Sequence, residues 1–308
     1  MSTPVSRTVQ AQREDRPVEG LLDRVRAVVP LISSRARDAE LARKPDDDVI
    51  DALKATGVFR SFVPRRFGGY EISLQTFVDI GVAVSEACPS TGWITTFYME
   101  HNWLLGFFGD ELQEDVFRDA PFMLAPGSVN PLSGTAVPKD GGFELTGHWK
   151  YATGIVHADW VLLSAQVPAE PNPVQRMCLV RPSDIEVRDT WHVDGMVATG
   201  SHDIVANALF VPERQVSLLV PPVVTAGANA TYLMRLPVRP FLSLTAAIPA
   251  LGAARRAVEL YRTLIADRVR FGTHKVQSQS APAQIRLATA LADVRAAETV
   301  MRDIARRI

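Results

Sequence analysis

The chain has 308 residues, 47% hydrophobic and 22% charged, with 33 basic against 34 acidic side chains, a globular balance long enough for two or three domains of roughly 100 to 150 residues. No long run of either sign supplies the footprint of a nucleic-acid binder or a membrane-surface patch, so small neutral ligands are the expected partners. Cys88 and Cys178 lie far apart in unrelated patterns, which argues against a disulfide framework or metal knuckle; with no signal-peptide core and no run near ~18 apolar residues, a cytoplasmic setting away from membranes is expected.

Residues 1–19 read as a flexible tail, and residues 20–120 as a helical domain. In PDDDVIDALKATG the acids Asp46, Asp47 and Asp48 sit where a helix N-terminus favours negative charge, Val49, Ile50 and Leu53 share a face, and Gly57 supplies the stop. In SLQTFVDIGVAVSEA the set Leu74, Phe77, Val78 and Val82 repeats as one buried helical stripe does. GDELQEDVF places Asp110 and Gln113 at capping-box spacing.

From 121 to 228 the period changes to two. GGFELTGHWKYATG sets Phe143, Leu145, Trp149, Tyr151 and Thr153 on one side of a strand and Glu144, Thr146, His148 and Lys150 on the other. WVLLSAQV, MCLVRP, IEVRDTWHV and DIVANALFVP continue as short strands between Pro, Gly and Asp, which predicts an antiparallel β domain.

From 229 to 308 the helical period returns. ALGAARRAVELYRTLIADRVRFG reads as one long helix after Pro249, and Ile285, Ala288, Leu291, Val294, Ala297, Met301 and Ile304 form a stripe on a second. Two long helices cannot enclose a bundle, and no Gly or Pro ends the second, so the expectation is an incomplete C-terminal bundle. The fold class is thus α+β and multidomain: helices, a central antiparallel β domain, then helices. Metal, hydrolase and nicotinamide sites find no support, since there is no metal-ligand histidine spacing, no Gly-x-Ser-x-Gly elbow and no Gly-rich phosphate loop after a strand.

Several stretches resemble the acyl-CoA dehydrogenase superfamily over residues 20–308. GVFRSFVPRRFGGYEISLQTFVDIGVAVSEACPSTGW is similar to its helix-loop-helix, GHWKYATG to its flavin-binding strand, and ATGSHDIVANALFVPE to the closing strands of its β domain, with Ala198 replacing the first Gly of Gly-x-Gly-Ser. DRVRFG resembles an Arg-x-x-Phe-Gly element on the first C-terminal helix. Where the dehydrogenases carry Thr-Glu-Pro-x-Ala-Gly-Ser, this chain has FMLAPGSVNPLSGTAVP, and no Glu stands between Glu213 and Glu259 to serve as their base. STGW, HNW, Ser128 and WKYATG instead resemble the flavin-dependent monooxygenase branch, the oxygenase components of two-component aromatic hydroxylases.

That resemblance implies reduced flavin (FMN or FAD) from a separate reductase, dioxygen, a C4a-hydroperoxyflavin kept in a dry pocket, a small phenolic or polycyclic substrate, and a homotetramer. It implies Thr153 as hydrogen-bond partner of N5, His101 as acceptor of a phenol proton, Ser128 lining flavin and substrate, Trp93 and Trp149 beside the flavin, and Arg268 with Phe271 reaching a neighbouring subunit's flavin. Taken alone, the same residues also fit a strand threonine, a core histidine bonded to a carbonyl, a turn serine, core indoles and a helix-end arginine. An acyl-CoA dehydrogenase-like oxidation, N-oxygenation of an amine and a non-catalytic binding protein are the alternative functions.

Overall fold

The computed structural model describes residues 18–168, 175–218 and 231–308. All but the last two residues of the expected tail, and the domain boundary expected at 228, lie outside these.

Five helices come first: α1 (Leu21–Ala42), α2 (Asp47–Thr56), α3 (Leu74–Ala87), α4 (Pro89–Leu104) and α5 (Asp110–Asp119). The Asp46 carboxylate accepts from the Val49 amide at 3.2 Å, and Gly57 takes the left-handed φ of 81° that ends α2. Leu74, Phe77, Val78 and Val82 are all buried, and Ser73 caps α3 through the Thr76 amide. Pro89 opens α4 at a position where its missing N–H has no partner to lose. Nearly every side chain of α4 is enclosed, because α3, a C-terminal helix and the turns at 58–60 and 197–199 surround it. The expected capping box of α5 does not form. Gly109 is the N-cap, Gln113 turns inward to donate to the Phe108 carbonyl at 2.7 Å, and the Arg66 guanidinium takes the Asp110 carboxylate together with Gln113 Oε1.

Eight strands follow among the described residues: β1 (Gly127–Ser128), β2 (Gly134–Lys139), β3 (Gly142–Ala152), β4 (Val161–Gln166), β5 (Gln175–Val180), β6 (Glu186–Arg188), β7 (His202–Pro212) and β8 (Val216–Leu218). They form one sheet in the order β6-β7-β3-β2-β4-β5-β8, with β1 beside β4. The sheet is mixed rather than antiparallel throughout, since β1 and β2 both run parallel to β4. The chain turns back after the β2–β3 hairpin through residues 153–160 and lays β4 alongside β2 in the same direction. β4 and β5 are buried on both faces. Leu162, Met177 and Leu179 join the helical core, while Val161, Leu163, Cys178 and Val180 join a second core inside the β domain. Such two-sided burial is why WVLLSAQV reads as a nearly unbroken apolar run.

Two long helices close the chain, α6 (Val238–Asp267) and α7 (Ala281–Arg307). Pro249 lies inside α6 instead of starting it. The turns around it bury Phe241, Leu244, Ile248 and Leu251, and that packing holds the helix through the lost hydrogen bond. The apolar stripe expected on α7 is only partly covered. Met301 is buried, but Ile285 and Ile304 are exposed, because α7 packs on α3 and α6 along one side alone. No helix among the described residues is long and apolar enough to cross a membrane.

Candidate active site

Trp93, Phe97 and His101 recur at four-residue spacing on α4 and therefore share one face. Their rings follow one another, with centroids 4.6 Å apart for Trp93 and Phe97 and 5.6 Å for Phe97 and His101. This face forms one wall of a cavity of about 290 Å³, closed by Gly127, Tyr151, Thr153, Trp191, Met196, Thr199 and Ser201. Tyr151 and Trp191 meet edge to face at 5.7 Å over its rim.

The polar side of the cavity is a row of hydroxyls. Trp93 Nε1 donates to Thr153 Oγ1 at 3.2 Å, Thr153 Oγ1 lies 2.9 Å from Ser201 Oγ, Ser201 Oγ lies 2.8 Å from Thr199 Oγ1, and Thr199 donates to the Met196 carbonyl at 2.8 Å. Thr153 is set against α4 by the turn that follows it. Gly154 adopts φ of 76°, its carbonyl accepts from the Tyr98 hydroxyl, and its amide donates to the Thr199 carbonyl at 2.9 Å. A Cβ at this glycine would stand 2.4 Å from the Tyr98 oxygen.

His101 is buried, and its Nδ1 donates to the Ala125 carbonyl at 2.5 Å. That bond fixes the tautomer and leaves Nε2 as an acceptor. Burial pushes the imidazolium down to about 4, so the ring is neutral at physiological pH. Both the carbonyl-bonded core histidine and the cavity histidine foreseen as alternatives are thus present in one side chain. Behind it stands Glu100, fully buried, with Oε2 3.5 Å from His101 Nε2 and neither carboxyl oxygen hydrogen-bonded. Burial holds this carboxyl well above the usual carboxylate range.

Trp149 and Ser128 are placed elsewhere. Trp149 is sealed in the β core, its Nε1 donating to the Ser164 carbonyl at 2.7 Å, with Gly134 and Gly147 pressed against its ring. The strict alternation that put Trp149, Tyr151 and Thr153 on one side is broken by a bulge: Trp149 pairs with Ile204, but Ala152 pairs with His202, and Tyr151 takes φ of 67°. Tyr151 and Thr153 are thereby redirected to the cavity while Trp149 faces the core. Gly127, not Ser128, lines the cavity; Ser128 sits on β1 opposite Leu163. His157, in the turn after β3, lies 2.8 Å from the Asp47 carboxylate and ties the β domain to α2.

Arg268 and Phe271 lie beyond α6, not on it. Asp267 is its last residue, Val269 bridges to Val276, and Gly272 at φ of 72° makes the tip of a short hairpin. Phe271 is wholly exposed. Arg268, Arg270, Arg286 and Tyr261 line a second, open cavity of about 470 Å³. The three guanidiniums have no carboxylate partner among the described residues, and the Tyr261 hydroxyl there is buried without a hydrogen bond. Three cationic side chains converge there, which suits a phosphate-bearing ligand.

Phe97, Tyr151, Trp191, Met196, Thr199 and Ser201 also line the cavity, and the Ala-Thr-Gly-Ser stretch at 198–201 is the nearest signal of them in the sequence.

An aromatic-walled cavity between a central helix and a bulged strand, with a hydroxyl acceptor on one side and a neutral imidazole on the other, defines on this fold an oxidoreductase of the monooxygenase branch. The family described as acyl-CoA dehydrogenase, C-terminal domain, matches residues 244–308. A pigment production hydroxylase of Rhodococcus sp. is 35% identical over 288 residues, 91% of this chain and 74% of that protein. The oxygenase component of an FADH2-dependent resorcinol hydroxylase of Rhizobium sp. is 34% identical over 95% of this chain and 74% of its own. Among solved structures, XiaF from Streptomyces sp., in complex with FADH2 and glycerol, superposes with a TM-score of 0.84 at 28% identity, covering 97% of this chain and 78% of that one. The chain belongs to the family of oxygenase components of two-component, reduced-flavin-dependent aromatic hydroxylases. Enzymes of this kind receive reduced flavin from a separate reductase and act on an aromatic substrate.

Proposed function

We propose that this oxygenase hydroxylates a phenol whose hydroxyl is held by His101, with reduced flavin held by Trp93 and Thr153 at the far end of the same cavity. The reading rests on one observation: a neutral imidazole with an uncommitted Nε2 shares a small aromatic cavity with a hydroxyl chain. Reduced flavin, when bound, would supply the two electrons that activate dioxygen, one oxygen atom of which goes to the ring while the other leaves as water. The protein's own contribution is positional and electrostatic. Trp93, Phe97, Tyr151 and Trp191 form flat walls that orient a planar substrate and exclude water. His101 Nε2 accepts the phenolic hydrogen bond and takes the proton as the ring is attacked, which raises electron density at the carbon beside the oxygen. Thr153 accepts the hydrogen bond of the flavin N5–H.

The donor set fits a flavin. The narrow cavity offers aromatic faces and two acceptors, Thr153 Oγ1 and His101 Nε2, and the open one offers three guanidiniums. Three forks suit two phosphates better than one, which favours FAD over FMN. Phe271, bare at the hairpin tip, suits a homotetramer in which this hairpin meets another subunit.

Labelled dioxygen, reduced flavin and phenols of graded acidity test the reading. His101→Ala should lower ring hydroxylation of an ordinary phenol by about 10²- to 10⁴-fold and recover it with phenols already ionised at the assay pH. An equal loss across the series would remove His101 from the proton transfer.

A further inference from the structure

The hydroxyl row beside the cavity has a direction, and both of its ends set it. At one end the indole N–H of Trp93 can only donate, so Thr153 Oγ1 accepts there, at 3.2 Å. At the other end the Met196 carbonyl can only accept, so the single hydroxyl proton of Thr199 is spent on it, at 2.8 Å. Thr199 Oγ1 then meets Ser201, 2.8 Å away, as an acceptor, and the Ser201 proton points to Thr199. With that proton committed, Ser201 Oγ can only accept from Thr153, 2.9 Å away. The Thr153 proton therefore points along the cavity wall to Ser201 and not into the cavity. What its oxygen has left is one lone pair. Thr199 and Ser201 are buried, so bulk water does not compete for these bonds.

We propose that Ser201, backed by Thr199, is a positioning residue that fixes the polarity of the Thr153 hydroxyl, so that Thr153 faces the cavity as a hydrogen-bond acceptor only. The proposal rests on the reading that Thr153 meets the flavin N5–H. A free hydroxyl could turn and present its own proton to that N–H, donor against donor, and the N5 proton would lose its partner. In this chain that rotation breaks the Thr153–Ser201 bond and leaves Ser201 Oγ without a donor inside a buried site. One threonine thus becomes a one-way contact, and the device that makes it so lies 48 residues away in sequence.

The test uses the protein loaded anaerobically with reduced FAD carrying the heavy nitrogen isotope at N5, with the N5 resonance as readout. Peroxide released per reduced flavin consumed is measured in parallel. In the wild type the resonance should sit at the hydrogen-bonded position. Thr153→Ala should move it to the unbonded position, Ser201→Ala and Thr199→Val should move it most of the way there, and Thr153→Ser and Ser201→Thr should restore it. Peroxide release should rise about fivefold in Ser201→Ala, the factor carried by one ordinary hydrogen bond. If Thr153→Ala shifts the resonance and neither Ser201→Ala nor Thr199→Val does, the polarity device is refuted while Thr153 keeps its place. If Thr153→Ala shifts nothing, the contact with N5 is refuted and the device with it. Should Ser201→Ala fail to fold, Ser201→Cys, which fills the same space with a weak donor and acceptor, gives the same two-way decision.

Discussion

Raising the pH from 6.5 to 8 should destabilise the fold through Glu100. The carboxyl is fully buried without a hydrogen bond, and its neighbour His101 Nε2 is 3.5 Å away. Burial raises Glu100 above its ordinary 4.5, so on its own it withdraws stability as the pH climbs past 4.5. Burial lowers His101 from 6.5 to about 4, so on its own it withdraws stability as the pH falls below 6.5. The two shifts together leave the folded pair's proton on Glu100, with His101 neutral, above the pH at which an unfolded carboxyl has ionised. The unfolded pair holds two protons below about pH 4.5, one between 4.5 and 6.5, and none above. Stability therefore has a plateau between those values and falls on both sides. On the alkaline side stability falls by about 1.4 kcal/mol per pH unit for as long as the folded carboxyl keeps its proton, against the 5–15 kcal/mol of a typical domain. Urea unfolding of the wild type and Glu100→Gln between pH 5.5 and 8.5 isolates the effect, because the amide ionises in neither state. The difference between the two curves should carry the alkaline slope. Parallel curves would mean that Glu100 is ionised in the folded protein and that the burial argument is wrong.

Gly134→Ala should destabilise the β domain by about 2–3 kcal/mol through overpacking, since its Cβ would lie 2.2 Å from Trp149 Cζ2 in a ring with no room to move; the urea midpoint reads this. Gly127→Ala brings a Cβ to 2.9 Å from His101 Cε1 and should raise KM for the aromatic substrate about tenfold, near 1.4 kcal/mol, with the reduced-flavin dissociation constant unchanged. Arg43 grips Asp189 with two bonds of 2.7 and 2.8 Å and reaches the Trp191 carbonyl at 3.2 Å. Arg43→Ala should accelerate amide exchange across residues 190–196, and unchanged exchange there would show that the loop bearing Trp191 is held by other contacts.

Where local chemistry decides a feature, the sequence carried it. The Asp46 cap and Gly57 stop of α2 follow from side-chain and backbone preferences within a dozen residues, and both form. The order of helices, sheet and helices follows from the change in hydrophobic period. Trp93, His101 and Thr153, drawn from two stretches of unlike pattern, do converge on one cavity. What escaped was set by backbone departures or by distant pairing. A single bulge at Tyr151 sends Trp149 to the core and Thr153 to the cavity, and strict alternation has no means of announcing it. Arg268 to Gly272 has helical spacing, yet the chain leaves the helix at Asp267 to make a hairpin. The Thr153–Ser201–Thr199 row assembles only once β3 and β7 are paired. The parallel run of β1 and β2 beside β4 likewise depends on how residues 153–160 return, not on the composition of the strands.

The bulge has an evolutionary corollary. A tyrosine held at φ of 67° occupies a conformation that is unfavourable by about 1–2 kcal/mol for side chains bearing a Cβ and easy for glycine. A descendant of this chain that no longer needed the phenol ring over its cavity would become sturdier simply by exchanging Tyr151 for glycine or asparagine. The amino acid found at that single site should thus act as a marker, separating lineages that still use the pocket from those that have abandoned it.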